Sequence, residues 1–368
     1  MKGKVLCGMS GGVDSSVSAC LLKEQGYDVV GCTMRLFDNE DIGAGMESSC
    51  CSLRDVDDAK SVCYRLGLQH YVFNFAEDFR RTVMQPFADS YLHGLTPNKR
   101  TFPQIKIIIV TSMPECSYLS RAREIEMDYV ATGHYGQIVQ ENGRWLLKKS
   151  VDTKKDQTYF LYNLTQEQMA HFLLPLGGLT KVEVREIAAQ HGFLNARKRD
   201  SQDICFVPNG DYGGFIEHFT GTTVPCGNYI DRDGNVLGTH KGHIRYTLGQ
   251  RKNLNIALGK RAYVVDKDVN ANTVTLGDND ELYANGLVAT DLNLIACDHI
   301  HQPLRCTAKT RHTQLETPCT VEQTGEDELL VRFDTPVRAV TPGQAVVLYD
   351  GDVVLGGGTI VKPWNNDQ

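Results

Sequence analysis

The amino-acid sequence predicts an α/β fold: a doubly wound parallel sheet followed by a small β-rich domain and a C-terminal β-barrel. Three observations predict it. Strand and helix patterns alternate through the first third of the chain. A glycine- and serine-rich junction ends the first strand and opens the first helix. Short strands broken by turn signals fill the last third. At 368 residues the chain is too long for one ordinary core, and the pattern divides it into 1–210, 211–285 and 286–368.

Each element follows from its residues. Val5 to Met9 is a short apolar run, read as the first strand. Val13, Val17, Cys20 and Leu21 then recur on one helical face. Val29 to Met34 reads as a second strand and Tyr71 to Phe75 as a third. Between them, Arg54 to Leu66 is helical, with Val56, Ala59, Cys63 and Leu66 on one side. Met127-Asp128-Tyr129-Val130 is a further strand, running into Ala131-Thr132-Gly133-His134-Tyr135. Residues 211–285 are glycine-rich and carry Arg245, Arg251, Lys252, Lys260 and Arg261, side chains suited to RNA phosphates or to a solvated surface. Beyond 286, Val346–Tyr349 and Val353–Leu355 flank Asp350-Gly351, a hairpin signal.

Composition limits the functions to consider. With 41% hydrophobic and 23% charged residues the chain is an ordinary globular protein rather than a disordered one. The formal charge of -7 argues against holding nucleic acid by bulk electrostatics, so any RNA contact must be made by local patches. The N-terminus MKGKVLCGMSGG has no long apolar core of a signal peptide. No apolar run reaches the roughly 18 residues of a membrane span. The 12 cysteines are spread irregularly and none forms a C-x-x-C pair, which points to reduced thiols in a cytoplasmic protein.

The junction Ser10-Gly11-Gly12-Val13-Asp14-Ser15-Ser16 carries the strongest chemical signal. It lies at the carboxyl end of a strand, where ligands of doubly wound sheets sit. Its glycines allow a tight turn and close approach of a ligand. The N–H groups of the loop and first helical turn make an anion-binding concavity. Hydroxyls of Ser10, Ser15 and Ser16 add donors, and Asp14 is suited to hold Mg²⁺ against a pyrophosphate. A serine-capped helix after a tight turn is the plainer alternative. The loop lacks the spacing and lysine of a Walker A motif.

This heptapeptide resembles the pyrophosphate loop of enzymes that split ATP into AMP and pyrophosphate, among them GMP synthetases, argininosuccinate synthetases, tRNA-lysidine synthetases and tRNA thiolases. Further segments select a branch. They are Ala131–Tyr135, Lys155-Asp156-Gln157-Thr158-Tyr159-Phe160-Leu161, Pro175–Lys181, Asp200-Ser201-Gln202-Asp203-Ile204-Cys205-Phe206, Gly238–Gly242 and Tyr246–Arg251. In order and spacing they are similar to tRNA-specific 2-thiouridylases over nearly the whole chain. The resemblance implies a PP-loop ATP pyrophosphatase fold of the adenine nucleotide alpha-hydrolase-like type. It implies that Gly8, Met9, Ser10, Gly11, Gly12, Val13, Asp14, Ser15, Met34 and Gly133 bind ATP. It places tRNA at Pro97, Asn98, His134, Lys155, Asp156, Gln157, Arg311, His312 and Gln344. Cys205 then carries a persulfide, loaded by a sulfur-donor protein.

The chemistry explains the residue types. A carbonyl oxygen leaves poorly, and adenylation with ATP converts it into a phosphate leaving group. A sulfur nucleophile then attacks the activated carbon; only a few per cent of an ordinary thiol is thiolate at neutral pH. Arg197-Lys198-Arg199 ahead of Cys205 could supply a favourable field, or be a solvated basic turn. Cys205 itself, outside its motif, would read as a buried structural thiol. Asp156 and Gln157 offer donors and acceptors to a splayed-out base and Lys155 suits a phosphate; the same residues also fit a capped helix start. Arg311-His312 fits an exposed strand pair equally well.

One stretch departs from the family pattern. Thiouridylases follow a T-P-N-P motif closely with a cysteine, the partner of the persulfide-bearing one. Here Thr96-Pro97-Asn98 is followed by Lys99-Arg100-Thr101-Phe102-Pro103 and the apolar run Ile105–Val110, and likeness resumes at about Ser120. Three explanations stand: a reading-frame disturbance over 99–119, a degenerate copy that binds tRNA without thiolating it, or a rearrangement in which Cys116 replaces the missing thiol. A different ATP pyrophosphatase acting on a small molecule is the remaining alternative, and it predicts no role for Cys205.

Overall fold

The computed structural model describes residues 2–43, 53–96, 118–196, 198 and 204–365. Its first layer is a five-stranded sheet made from β1 (Lys4–Gly8), β2 (Asp28–Arg35), β3 (Gln69–Asn74), β4 (Tyr129–Ala131) and, after a hairpin of β5 (Gln137–Glu141) and β6 (Arg144–Lys148), β7 (Phe172–Leu173). The order is β3-β2-β1-β4-β7 and every pairing is parallel. Val5, Leu6 and Cys7 are fully buried, the apolar run expected of a strand covered on both faces. The chain leaves β1 towards β2 on one side and places β4 on the other. That makes the carboxyl end of β1 the switch point of the sheet, where a ligand crevice forms.

Helix α1 (Val13–Glu24) covers the sheet, followed by α2 (Leu53–Leu66). The expected stripe on α1 widens into near-complete burial. Ser15, Ser16, Ser18, Ala19 and Leu22 are buried along with Val13, Val17 and Cys20, whereas Leu21 is only half-buried. The small residues let the helix Lys181–Gln190 pack against α1 on its outer side. On the other side of the sheet, Phe206 meets Phe79, Phe87 and Phe215 edge-on, with ring centroids 5.5, 5.3 and 5.1 Å away. Tyr118 is fully buried there and its hydroxyl donates to the Leu6 carbonyl at 2.9 Å, anchoring the chain to the central strand just beyond the atypical segment.

A second sheet is formed by β8 (Gly227–Ile230), β9 (Val236–His240), β10 (Tyr263–Asp268) and β11 (Thr273–Gly277), in the order β10-β11-β8-β9. The last segment contributes β12 (Tyr283–Leu294), β13 (Leu304–Lys309), β14 (Thr317–Gly325), β15 (Glu328–Arg338), β16 (Ala345–Asp350) and β17 (Val353–Trp364). Their antiparallel order β12-β15-β14-β13-β16-β17 is closed by pairing of β12 with β17, so the barrel has no open edge. The β16–β17 turn is Gly351-Asp352, one residue later than the sequence signal, with Gly351 in the left-handed region at φ +59°. The hairpin β5–β6 joins this sheet through Lys148 and Val353. Asn142 and Gly143 make its turn with φ +50° and +81°. Among the described residues no helix is long and apolar enough to cross a membrane.

Candidate active site

The loop between β1 and α1 is shaped by its own bonds. Gly11 stands at φ +69°, and a Cβ there would lie 2.4 Å from the Asp55 carbonyl oxygen of α2. Only glycine satisfies both conditions. Gly12 stands at the N-cap of α1, and no side-chain cap bond closes the helix start. Such a helix start is a site for an anion. Ser15 and Ser16 turn away from the mouth. Their hydroxyls donate inward to the Gly12 carbonyl at 3.1 and 2.9 Å, so they stiffen the loop. Ser10 is the exposed hydroxyl at the mouth. At Gly133 a Cβ would sit 2.7 Å from the backbone of Asp14 and Ser15, so the end of β4 lies directly against the first turn of α1.

Asp14 is also engaged within the fold. Its two carboxylate oxygens accept from the Lys181 ammonium at 2.8 and 2.7 Å, and Oδ1 accepts from the Tyr135 hydroxyl at 2.9 Å. The side chain is half-buried and both its oxygens are engaged, so here the Asp14 carboxylate is a partner of Lys181 rather than an open ligand for Mg²⁺. Behind the loop, Asn195 donates to the Gly11 carbonyl at 3.1 Å and to Ser16 Oγ at 2.9 Å. Lys198 reaches the same carbonyl at 3.2 Å and pairs with Asp55 and Asp58 at 2.6 and 2.8 Å. Burial opposes its charge, but the bonds to the two acids outweigh this and raise its pKa. Lys198 is therefore tied to the loop and α2; Arg197 and Arg199 lie outside the described residues.

Cys205 is half-buried, held between Ile204 and the fully buried Phe206. Seven residues separate it from Lys198, which bounds its Cα at about 25 Å from the Lys198 Cα. Met34 is buried at the end of β2.

The residues expected to meet tRNA divide into two groups. Asp156 is buried and accepts from Ser150 N and the Thr158 hydroxyl at 2.9 and 2.7 Å; burial raises its pKa against those bonds. Gln157 Oε1 accepts from Tyr135 N at 2.8 Å and so shapes the Gly133–Tyr135 turn. Arg311 donates to the carbonyls of Leu248 and Ala339 and to the Thr341 hydroxyl at 3.3, 2.9 and 2.7 Å, and burial lowers its pKa. Gln344 donates to the Thr96 carbonyl at 2.8 Å. These four brace the structure. His312 stacks on Phe160 with ring centroids 4.5 Å apart, His134 Nδ1 pairs with Thr132 Oγ1 at 2.7 Å, and Lys155 is half-buried. Pro97, Asn98 and Cys116 lie outside the described residues.

Sequence reasoning missed the roles of Lys181, Tyr135 and Asn195. Thr180 and Glu183 form a capping box that could have marked Lys181 as the first residue of a helix. Its partner 167 residues away is visible only in the fold.

Three family profiles match successive parts of the chain. A family profile described as a tRNA methyl transferase HUP domain matches residues 3–209, a tRNA methyl transferase PRC-barrel domain matches 213–278 and an aminomethyltransferase beta-barrel domain matches 284–360. A tRNA-specific 2-thiouridylase of Symbiobacterium thermophilum is 49% identical over 368 residues, covering 98% of this chain and 93% of that protein. Those of Clostridioides difficile and Lachnoclostridium phytofermentans are 48% and 49% identical, each covering 98% of this chain and 99% of their own.

Proposed function

The chain belongs to the tRNA-specific 2-thiouridylase family, and on that premise we propose how its residues divide the labour of ATP-dependent tRNA thiolation. The observation that carries the proposal is the uncapped start of α1 beneath a left-handed Gly11, with the Lys181 ammonium beside it. A methyl transfer, which the profile descriptions suggest, gives no reason for such a cradle. A triphosphate does.

In this reading ATP is a substrate. Backbone N–H groups of Gly11, Gly12 and Val13 receive its phosphates, with Ser10 at the mouth and Met34 and Gly133 beside the nucleoside. The carbonyl oxygen at C2 of a wobble uridine attacks the α-phosphorus and pyrophosphate leaves. The terminal sulfur of a Cys205 persulfide then attacks C2, the C–O bond breaks and AMP departs. The S–S bond must still be cleaved by a second thiol or an external reductant. A separate protein loads the persulfide, and the reduced thiols this requires accord with a cytoplasmic setting. Magnesium belongs to the usual chemistry of pyrophosphate release; Asp14 would have to exchange Lys181 for the ion to hold it. RNA phosphates can dock along the middle domain, where a cavity of about 590 Å³ is lined by Arg251, Lys260 and Arg261 among others.

Purified protein with ATP, a sulfane-sulfur donor such as a polysulfide, a thiol reductant and unmodified tRNA tests the proposal. Mass spectrometry of the nucleosides should show 2-thiouridine, and its absence with intact tRNA binding favours the second reading, a catalytically impaired homologue. The observation behind that reading is the lack of a cysteine soon after Thr96-Pro97-Asn98. Sequencing the coding region for 98–120 separates a reading-frame disturbance from a true substitution. Pyrophosphate release with a small acceptor and no tRNA would overturn both readings.

A further inference from the structure

We propose that Asn195 and Lys198 are positioning residues for adenylation: from behind the phosphate loop they hold the Gly11 carbonyl and thereby aim the Gly12 N–H at the nucleotide. The inference rests on the ATP-binding reading of the loop and deepens it. A trans peptide is planar and points its C=O and N–H in opposite directions. The carbonyl of Gly11 and the N–H of Gly12 share one such plane. The first is fixed at the back by two donors, Asn195 Nδ2 at 3.1 Å and Lys198 Nζ at 3.2 Å. The second therefore faces the mouth, where its bond to the exposed Ser10 hydroxyl is long at 3.4 Å. That N–H is ready to be taken over by a phosphate oxygen.

Both clamping residues are themselves held. Asn195 is 5% exposed, and its second amide hydrogen bonds Ser16 Oγ, whose own hydrogen goes to the Gly12 carbonyl at 2.9 Å. Lys198 is fixed by Asp55 and Asp58 of α2. The same stretch of α2 brings the Asp55 carbonyl against Gly11, so the loop lies between α2 and the 195–198 turn. Gly11 at φ +69° can rotate its peptide more freely than any other residue type. Without the clamp, the peptide flip that turns the Gly12 N–H away is resisted only by the loop's own serines.

Two variants test this. Asn195→Leu keeps the branched heavy-atom skeleton and removes both donors; Lys198→Met keeps the stem and removes the charge. Each is compared with the unaltered full chain for binding of a non-hydrolysable ATP analogue by calorimetry, binding of tRNA, and persulfide loading of Cys205 from a polysulfide, whose sulfane sulfur the thiolate takes as the shortened polysulfide leaves, read by mass spectrometry. The clamp predicts that the analogue dissociation constant rises about tenfold in each, the consequence of losing roughly one hydrogen bond, with tRNA affinity and Cys205 loading unchanged. A merely structural role would move all three together. Should Asn195→Leu fold poorly, the more exposed Lys198→Met carries the test alone. Analogue binding within about twofold of the unaltered chain, in a folded variant, overturns the clamp. Failure of the unaltered chain to bind the analogue would overturn the ATP reading instead.

Discussion

The Lys181 ammonium donates to both carboxylate oxygens of Asp14, at 2.8 and 2.7 Å, although 167 residues separate them in the chain. Their side chains are 9% and 29% exposed, so the pair is shielded from water on the lysine side. The bond ties the start of α1 to the start of the helix Lys181–Gln190, and Tyr135 closes it from a third direction. It also sets the local charge. With Lys181 present, Asp14 beside the phosphate loop is neutralised. Without it, a carboxylate faces the incoming triphosphate. Lys181→Met should therefore slow ATP-dependent pyrophosphate release by about a hundredfold, the scale of removing one preorganised charge from a transition state. Tyr135→Phe, which removes a single neutral donor, should cost only a few-fold. A coupled pyrophosphate assay measures both, and equal effects would show that the lysine acts through packing alone.

Cys205 should separate the two half-reactions. Cys205→Ala is expected to abolish 2-thiouridine formation while leaving ATP-analogue binding at the wild-type value, because the role proposed for the thiol is sulfur delivery and it is not part of the Ser10–Ser16 loop. The substitution removes little volume from a half-buried position, so folding should persist. Nucleoside mass spectrometry and calorimetry on the same preparation give the answer. Unchanged 2-thiouridine would remove Cys205 from the chemistry.

Much of this was legible in the sequence for a physical reason: strand and helix periods are local, and so is the loop. The order of the first strands, the Ser10–Ser16 junction and the barrel followed from patterns within short windows. What could not be read was partnership across distance. Asp14 with Lys181, Asn195 with Gly11 and Gln344 with Thr96 are fixed only once the sheet and barrel are assembled. One miss was avoidable. Asn142-Gly143 between Gln137–Glu141 and Arg144–Lys148 is a strong short hairpin signal. Its strands carry the barrel sheet onto the catalytic layer. The partners that Ser15, Ser16 and Asp14 take inside the fold were hidden for a related reason. Their chemistry suits a ligand, but neighbours inside the fold take up those groups.

Gln344 gives a prediction about substrate rather than nucleotide. It is 7% exposed, and its amide donates to the Thr96 carbonyl, the residue before Pro97-Asn98. The barrel thereby fixes where the atypical segment leaves the catalytic layer. Gln344→Leu removes the donor at similar volume and should lower kcat/KM for tRNA by about tenfold, in line with one lost buried hydrogen bond. Binding of the ATP analogue should stay as it is. A loss confined to ATP binding would refute a substrate-side role.

His240 and His243 make the middle domain sensitive to acid. Burial lowers both imidazole pKa values from 6.5, against opposing bonds to the carbonyls of Asn272 and Leu92; His243 also faces Lys267, and the two imidazoles repel each other when charged. The unfolded chain takes up these protons near the ordinary value, whereas the folded chain resists until lower pH. Between those two points the unfolded state binds more protons, so stability rises with pH there. The contribution is complete above about 6.5 and is lost as pH falls towards the folded values. His243 bonds the Leu92 carbonyl at 3.2 Å, a contact that favours the charged ring, so it is burial and Lys267 that make protonation costly where the middle domain meets the helix Gln85–Leu92. Urea unfolding at about pH 7.5, 6.5 and 5.5 should show a falling midpoint. Hydrogen exchange should show that 227–246 loses protection before the parallel sheet does. The paired replacement His240→Gln with His243→Asn should flatten that dependence even if it lowers the midpoint at neutral pH. A slope unchanged by the double variant would assign the acid sensitivity to other groups.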